Sequence, residues 1–359
     1  MIYKKRLVIA SLLLLMVILI KLFSISNINT EYYYSTGIYP YISSFFRNIT
    51  GWVPFSLGDI LYGAIALWLI IKFCKGINAI IIKKINWQYF LKKFFSFVLK
   101  LLITYVAFNL LWGINYNRQG ISAQLGLKIE KYTTQDLKNI TTIILQKVNA
   151  NKILIIKDSA ALKTNKEMFK NSAAAYTAID KKFSFLQYKT ASVKPSLWGY
   201  VGNYIGFSGY YNPFTGEAQV NTSGPRFLLP FVTCHEIAHQ LGYAKENEAN
   251  FVGYLAASST KDSLLLYATY MDMFLYANRN LYSADSVAAI AFAKQLIPEV
   301  KTDLKEMRDF NLRHKNFVEP IIRWVYGKYL QSNQQPNGNL SYDEVTGLMI
   351  AYYKKYGTL

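Results

Sequence analysis

The residues of this chain best suited to chemistry lie in a short segment with two histidines four residues apart. Residues 233–251 read TCHEIAHQLGYAKENEANF, in which His235, Glu236 and His239 form an HExxH pattern. On a helix, residues i and i+4 lie on one face about a turn apart, so both imidazoles can bind one Zn²⁺. Glu236 then lies where it can take a proton from a metal-bound water, whose pKa the metal lowers to about 7. The pattern predicts a zinc site built for hydrolysis.

Other features of the sequence make this pattern more specific than a bare HExxH motif, which arises by chance in unrelated proteins. The chain has only three histidines, and two of them are His235 and His239. The flanking apolar residues are those of a buried helix, where two imidazoles without partners would be costly. Gly242 can end that helix, and a second helical segment with two glutamates follows it. The sequence therefore predicts Zn²⁺ as the cofactor.

A catalytic zinc site needs a third protein ligand and one open position. In the HExxHxxGxxH arrangement Gly242 would fit the turn, but Lys245 would occupy the ligand position, and a protonated lysine cannot bind a metal. We expect Glu246 to be the third ligand. Asn250, one helical turn further on, is expected to support a histidine through a hydrogen bond. Glu248 remains an alternative ligand.

The N-terminal third of the chain carries apolar stretches at about residues 7–23, 55–73 and 94–112. Each is close to the ~20 residues that a helix needs to cross a bilayer core, so we expect three transmembrane helices in a membrane region of residues 1–113. A buried core helix is the alternative for the third stretch. This region holds 12 of the 40 basic residues but 2 of the 21 acidic ones. Basic residues that border apolar spans are typical of contact with a lipid bilayer and not with nucleic acid.

Basic residues between the apolar stretches indicate the orientation of the chain. Residues 4–6 are Lys-Lys-Arg, residues 24–54 carry one basic residue, and residues 75–93 carry five lysines. The positive-inside rule places the N-terminus and the loop between the second and third stretches in the cytoplasm. Three crossings then put residues 114–359 on the other side. We expect a multi-pass protein of the cytoplasmic membrane with an extracytoplasmic domain.

Residues 114–359 have the pattern of a water-soluble domain of helices with a few short strands. Apolar residues recur with helical spacing in Thr134–Asn149 and in Asn165–Phe183. Residues 196–222 are instead rich in glycine, aromatic residues and turn signals. They predict short strands joined by tight turns, the last of them near Glu217–Thr222. The expected fold is mainly α with a small β-sheet, an α+β domain that follows the transmembrane helices.

Some further residues attract a functional interpretation but favour a structural one. Cys234 points away from the histidine face of its helix, so we expect a buried thiol, and with Cys74 as the other cysteine no disulfide framework is available. Asp59 lies near the start of the second apolar stretch, where we expect it to reach the membrane interface. Ser341 and Glu344 form a capping-box pattern that predicts the start of the last helix.

The segment HEIAH followed by Glu246-Asn-Glu-Ala-Asn250 resembles the zincin metallopeptidases of the glutamate-ligand type, the gluzincins. It is particularly similar to the Glu-x-x-Ala-Asp form of membrane-bound CAAX-processing and heat-shock membrane proteases. It departs from that form by Asn250 in place of Asp and by a short gap between His239 and Glu246. The chain as a whole, with GYYNPFTGEAQVN before the HExxH segment, also resembles an uncharacterised family of bacterial membrane proteins with a domain of unknown function. The resemblance implies a zincin-like metallopeptidase that acts on a peptide or protein of the cell envelope.

In such enzymes the active-site cleft lies between a small sheet and the HExxH helix. The resemblance therefore implies that the strand at Glu217–Thr222 is an edge strand with which an extended peptide pairs, and a core hairpin is the alternative. A donor that stabilises the oxyanion is also expected. Candidate donors are Tyr210, Tyr211, Tyr243, His314 and Tyr326.

The sequence thus favours a membrane-anchored zinc-dependent endopeptidase with Glu236 as the base. A non-catalytic zincin-fold binding or scaffold protein of the cell envelope is the alternative, because Asn250 departs from the usual pattern and no single oxyanion donor stands out. An intramembrane protease is disfavoured, because the apolar run Phe227–Val232 before the motif is far shorter than a membrane span.

Overall fold

The computed structural model describes residues 2–82, 86–158 and 164–359. The described chain is mainly helical with a small sheet, as the sequence predicted. Apolar helices of the N-terminal region join a helical domain at one end, where Tyr39, Ser43, Gly58 and Trp112 form hydrogen bonds to it.

Among the described residues of the N-terminal region, three helices are long and apolar enough to cross a membrane, and they overlap the three predicted stretches. In chain order the region contains α1 (Ile2–Ser24), a helical turn (Asn27–Asn29), a π-helical segment (Thr30–Ile38), α2 (Tyr39–Thr50), α3 (Leu57–Ile81) and α4 (Trp87–Leu111). The candidate spans are α1, α3 and α4. Helix α4 starts before its apolar run because Asn86 caps it, with Oδ1 accepting from the Tyr89 amide at 2.8 Å.

The helices beyond α4 form the rest of the fold. They are α5 (Thr134–Lys157), α6 (Asn165–Asp180), α7 (Gly199–Ile205), α8 (Leu229–Gln240), α9 (Glu246–Ser258), α10 (Ser263–Ala284), α11 (Ser286–Lys294), α12 (Pro298–His314), α13 (Glu319–Ser332) and α14 (Val345–Tyr356). Shorter helical turns are Gly113–Asn117, Ile121–Gln124, Ser184–Leu186, Arg226–Leu228 and Gly338–Glu344.

Helix starts follow the capping chemistry of the sequence in some places and not in others. Helices α5 and α6 begin at capping boxes formed by Thr133 with Asp136 and by Thr164 with Glu167. The predicted capping box at Ser341 is wrong. Ser341 is buried inside a 3₁₀ turn, its hydroxyl has no hydrogen-bond partner among the described residues, and α14 begins only after that turn.

Helix α8, which carries the HExxH pattern, lies at the centre of the domain. All of its residues are buried. It packs on α6, α9 and α10, and these helices share one apolar core with α5 and α14. On a helix buried on every side, a polar side-chain atom without a partner is costly, so the surroundings of its histidines and glutamate matter for stability.

The sheet lies against α8 and contains β1 (Val193–Pro195), β2 (Gly209–Asn212) and β3 (Glu217–Val220) in the spatial order β1–β3–β2. Strand β3 is parallel to β1 and antiparallel to β2. The strand predicted near Glu217–Thr222 is therefore present, but it is central and fully buried, and the expectation that it forms the edge was wrong. The short strand β1, which no sequence pattern indicated, covers its other side. Strand β2 is an edge of the sheet.

Polar contacts tie the start of α3 to the sheet and to the segment after β1. The carboxylate of Glu217 accepts hydrogen bonds from the amides of Leu57 at 3.0 Å and Gly58 at 2.6 Å, which places a negative charge at the N-terminus of α3. Asp59 accepts a hydrogen bond from the Leu197 amide at 2.6 Å. Asp59 thus binds the backbone of the domain at the end of the candidate span.

Through Arg118, a buried ion pair joins the π-helical segment after α1 to the turn after α8. Arg118 donates from Nε and Nη2 to the two carboxylate oxygens of Glu31, at 3.0 and 2.6 Å. Its Nη1 donates to the carbonyl of Gly242 at 3.1 Å. Bidentate geometry of this kind fixes orientation as well as distance. The pair therefore holds the turn that follows the HExxH helix.

Replacement of Arg118 by Met should destabilise the protein by about 3–5 kcal/mol, because Glu31 would remain buried without its partner. The free energy of unfolding of the full chain in detergent micelles, from denaturant titration, measures this loss. Arg323→Met is the matched control, since Arg323 pairs with Glu319 while 69% of its side chain is exposed. We expect the control to lose about 1 kcal/mol or less. Equal losses in the two variants would contradict the structural role of the buried pair.

Candidate metal centre

The two imidazoles of the HExxH pattern meet on one face of α8. His235 and His239 are one turn apart, and their Nε2 atoms lie 3.1 Å from each other. Both side chains are buried. Two nitrogen lone pairs at this distance repel each other unless a proton or a cation lies between them. This geometry therefore favours a proton or a cation between the two nitrogen atoms.

A tight turn brings α9 back against this face. Gly242 has φ +86°, a left-handed conformation that glycine adopts freely. Its amide donates to the His239 carbonyl at 3.0 Å, and the Tyr243 amide donates to the Ala238 carbonyl at 3.2 Å, which together end α8. A Cβ at position 242 would also fall 2.8 Å from the ring of Tyr39. The short gap between the motif and the next glutamate is possible because this turn uses so few residues.

Glu246 is the first residue of α9, and its carboxylate completes the cluster. Oε2 lies 3.2 Å from Nε2 of His235 and 3.5 Å from Nε2 of His239. Ligand atoms at 2.0–2.1 Å from a tetrahedral zinc ion would be about 3.3 Å apart. The three spacings of the cluster, from 3.1 to 3.5 Å, match that value. The donor set therefore fits one zinc ion and leaves a fourth position open.

Charge in the cluster is balanced in a way that also favours a cation. Burial opposes a charged imidazole, yet the Glu246 carboxylate outweighs it and raises the pKa of His235 to about 9. Burial alone would raise the pKa of Glu246, but the two imidazoles hold that pKa well below its ordinary value. The buried carboxylate thus depends on positive charge beside it, which protonated imidazoles or a divalent cation can supply.

Outer hydrogen bonds orient each of the three donor side chains. Asn250 Oδ1 lies 2.7 Å from Nδ1 of His235, and the Tyr243 carbonyl lies 2.7 Å from Nδ1 of His239. The hydroxyl of Tyr326 donates to Oε1 of Glu246 at 2.6 Å. Both imidazoles therefore present Nε2 to the cluster, as metal-binding histidines do when Nδ1 donates to an oxygen. Asn250 stands where the sequence placed it, beside a histidine.

Glu248, the alternative ligand, points away from the imidazoles. Its carboxylate packs against the backbone of Gly120, where a Cβ would lie 2.0 Å from Oε1, and Lys245 Nζ lies 3.9 Å from the same oxygen. Among the described residues, the group whose donor atoms lie within 4.8 Å of one another is His235, His239 and Glu246. The structure thus brings Glu246, and not Glu248, to the histidines.

Glu236 lies beside the cluster and faces β2. Its side chain is buried, and Oε2 has no hydrogen-bond partner among the described residues. Burial raises the pKa of Glu236 to about 7, although the nearby imidazoles oppose this rise. A Cβ at position 209 would fall 2.6 Å from Oε1 of Glu236, so Gly209 is needed for this close approach. The arrangement suits a group that gains and loses a proton near neutral pH.

An aromatic pocket opens onto the cluster and onto Glu236. Two of its walls come from the candidate spans, with Tyr62 on α3 and Phe108 on α4. Its aromatic lining is Tyr62, Phe108, Trp112, Tyr116, Tyr210, Tyr211, Tyr326, Tyr329 and Tyr342. Gly209, Tyr210 and Tyr211 of the edge strand β2 also line it. A ligand in this pocket therefore lies beside the ends of the apolar helices.

The predicted oxyanion donors are distributed unevenly around this pocket. Tyr210, Tyr211 and Tyr326 line it, whereas Tyr243 and His314 are absent from its walls. The Tyr243 hydroxyl donates to Gln124 at 2.6 Å, outside the pocket. Nδ1 of His314 bonds to the carbonyl of Phe310 in α12.

Sequence reasoning missed several residues that surround the cluster. The ring of Tyr342 stacks on His235 with centroids 6.3 Å apart, and Tyr116 bonds to Tyr329 at 3.1 Å between hydroxyl oxygens. Burial raises the pKa of the Tyr342 hydroxyl well above its ordinary value, so it stays protonated. With 29 tyrosines in the chain, no local pattern marks these positions. The thiol of Cys234 is buried, and burial raises its pKa to about 12.

Residues of the membrane region hold the end of the HExxH helix. Nε1 of Trp112 donates to the His239 carbonyl at 3.1 Å. The hydroxyls of Tyr39 and Ser43 donate to the Gln240 carbonyl at 3.0 and 2.6 Å. These donors satisfy carbonyls that a helix leaves unpaired at its C-terminus. The regions before and after residue 113 therefore build the site together.

Comparisons with known proteins place the chain in a family without indicating an activity. The model of a family described as protein of unknown function (DUF3810) matches residues 34–350. The comparisons with curated proteins and with solved structures gave no match.

Metal content of two isosteric variants separates the two glutamates. Loss of a residue that supports a metal ligand weakens metal binding by roughly 10–100-fold. Glu246→Gln should weaken zinc binding by more than this, because the variant loses a ligand itself. Glu248→Gln, on the same helix and also buried, should bind zinc as the wild type does. Zinc per chain after competition with a chelator, measured by mass spectrometry, gives the comparison. Loss of zinc in Glu248→Gln with retention in Glu246→Gln would reverse the assignment.

Proposed function

The chain belongs to the DUF3810 family, and we propose that it is a membrane-anchored zinc-dependent peptidase that hydrolyses peptide bonds. The observation that carries this proposal is the convergence of His235, His239 and Glu246 at spacings that suit one zinc ion, with Glu236 beside them. The same residues carry the resemblance to gluzincins in the sequence.

Glu236 is the proposed general base. Zinc, when bound, acts as a Lewis acid and makes hydroxide available at neutral pH. The free, buried Oε2 of Glu236 is in position to accept the proton of the attacking water and to return it to the leaving amine. Tyr326 and Asn250 hold Glu246 and His235 in place while the charge in the site changes.

Strand β2 is the proposed docking strand for an extended substrate. It pairs with β3 on one side, and its residues 209–211 line the pocket beside Glu236. A peptide that adds to this edge would be fixed by backbone hydrogen bonds. Gly209 leaves room there for Glu236 and a substrate backbone together.

The proposed location follows from the apolar helices and the basic loops. The N-terminus and the loop between α3 and α4 carry the basic residues, which favours a cytoplasmic position for both. The connections at the other ends of the spans pack on the domain, so we place the metal centre on the extracytoplasmic face of the cytoplasmic membrane. The expected substrate is a peptide or protein of the cell envelope.

A non-catalytic binding protein is the second candidate, because Asn250 replaces the usual Asp. The contact of 2.7 Å between Asn250 Oδ1 and His235 Nδ1 weakens this argument, since the amide oxygen makes the contact expected of a carboxylate. An intramembrane protease gains no support, because α8 is not among the candidate spans of the described chain.

Glu236→Gln should keep zinc and lower the rate of peptide cleavage by at least ~10²-fold, since the amide cannot accept the proton. The measurement is cleavage of a peptide library by zinc-loaded full-length protein in detergent, read by mass spectrometry, with zinc content determined on the same samples. Glu130→Gln is the control, because Glu130 is exposed and lies outside the pocket. Cleavage by Glu236→Gln at the wild-type rate would exclude Glu236 as the base. If the zinc-loaded wild-type protein cleaves no peptide, the non-catalytic binding protein is favoured.

A further inference from the structure

One part of the domain exposes an apolar surface outside the three candidate spans. It consists of α7 with the residues before it, and of the first turns of α13 with the turn before it. We name this surface the apolar tip. Its residues are Leu197, Trp198, Tyr200, Val201, Phe317, Ile321, Trp324 and Val325. Their exposed fractions range from 42% at Trp198 to 83% at Phe317.

The first half of α13 is apolar around most of its circumference. Ile321, Ile322, Trp324 and Val325 are all exposed, and at about 100° per residue they point in widely different directions. Buried positions of α13 are confined to the second half, at Gly327 and Leu330. Exposed apolar side chains in this number are typical of a helix that contacts an apolar environment, with the charged Arg323 reaching water or lipid headgroups.

The apolar tip is continuous with the start of α3, a candidate span. Nε1 of Trp198 donates to the carbonyl of Asp59 at 3.1 Å, and a Cβ on Gly63 would lie 2.9 Å from the Trp198 ring. Asn316, before α13, donates to the carbonyl of Tyr204 at the end of α7 at 2.6 Å. Contacts thus run from the first turns of α3 through α7 to α13.

The composition of the apolar tip matches the layer where a bilayer meets water. Tryptophan and tyrosine are enriched in that layer, because one end of each side chain is apolar and the other polar. Exposed basic residues, Arg313 and Lys315, lie next to Phe317 in the sequence. Basic residues beside an inserted apolar face bind anionic lipid headgroups.

We propose that the apolar tip lies in the interfacial layer of the bilayer that the candidate spans cross. The tip then holds α13, and with it Tyr326 and Tyr329 of the pocket, at the membrane surface. This inference concerns lipid contact alone and does not depend on zinc or on peptide cleavage.

Spin labels at single cysteines test this proposal in the full chain. Cys74→Ser removes the exposed thiol, and Cys234 is buried and does not react. Labels are placed at Trp324→Cys and Val201→Cys in the tip, at Leu67→Cys in α3 as the lipid reference, and at Val287→Cys in α11 as the water reference. Val287 is a matched control, because it is an apolar residue that is 78% exposed. The protein is reconstituted in phosphatidylcholine–phosphatidylglycerol nanodiscs, and thermal unfolding confirms that each variant is folded.

Power saturation then compares the access of molecular oxygen, which enters lipid, with that of a water-soluble nickel chelate. Labels in the apolar tip should favour oxygen, as the Leu67 label does, and the Val287 label should favour the chelate. A preference for the chelate at both tip positions would overturn the proposal. Exclusion of both reagents would also overturn it, because a second protein copy or another protein would then cover the tip.

Discussion

The structure depends on three electron-pair donors that meet between the buried helix α8 and the start of α9. Nε2 of His235 and of His239 and Oε2 of Glu246 lie within 3.5 Å of one another, and none of them is well exposed to water. Such a cluster is unfavourable without a proton or a metal cation, because burial penalises the carboxylate and the two nitrogen lone pairs repel each other. The residues around the cluster either bring these three atoms together or form hydrogen bonds with the other polar atoms of the same side chains.

The N-terminal region, which contains the three candidate spans, also helps to build the cluster. Trp112, Tyr39 and Ser43 bind the last carbonyls of α8, and Arg118 joins the next turn to Glu31. Without Tyr39 and Ser43 the buried carbonyl of Gln240 would lose the hydrogen bonds that satisfy it. Helix α2, the π-helical segment and Trp112 are therefore structural parts of the site, and the full chain is the natural unit for experiments.

The spacing of residues in the sequence correctly predicted contacts within a helix and the positions of the long apolar helices. The i,i+4 relations of His235 with His239 and of Glu246 with Asn250 hold in the structure, and the three apolar stretches are helices. Features that depend on distant contacts were missed. Strand β3 is central because β1 covers it, and Tyr342 reaches His235 across about a hundred residues of chain; neither contact leaves a periodic signal in the sequence.

The central claim is that these two imidazoles and this carboxylate bind one zinc ion. Zinc K-edge X-ray absorption on the zinc-loaded full chain tests it most directly. We expect a four-coordinate first shell of nitrogen and oxygen at about 2.0–2.2 Å, with the outer-ring scattering of two imidazoles and no sulfur. A shell of oxygen atoms alone, or one without imidazole scattering, would contradict the account.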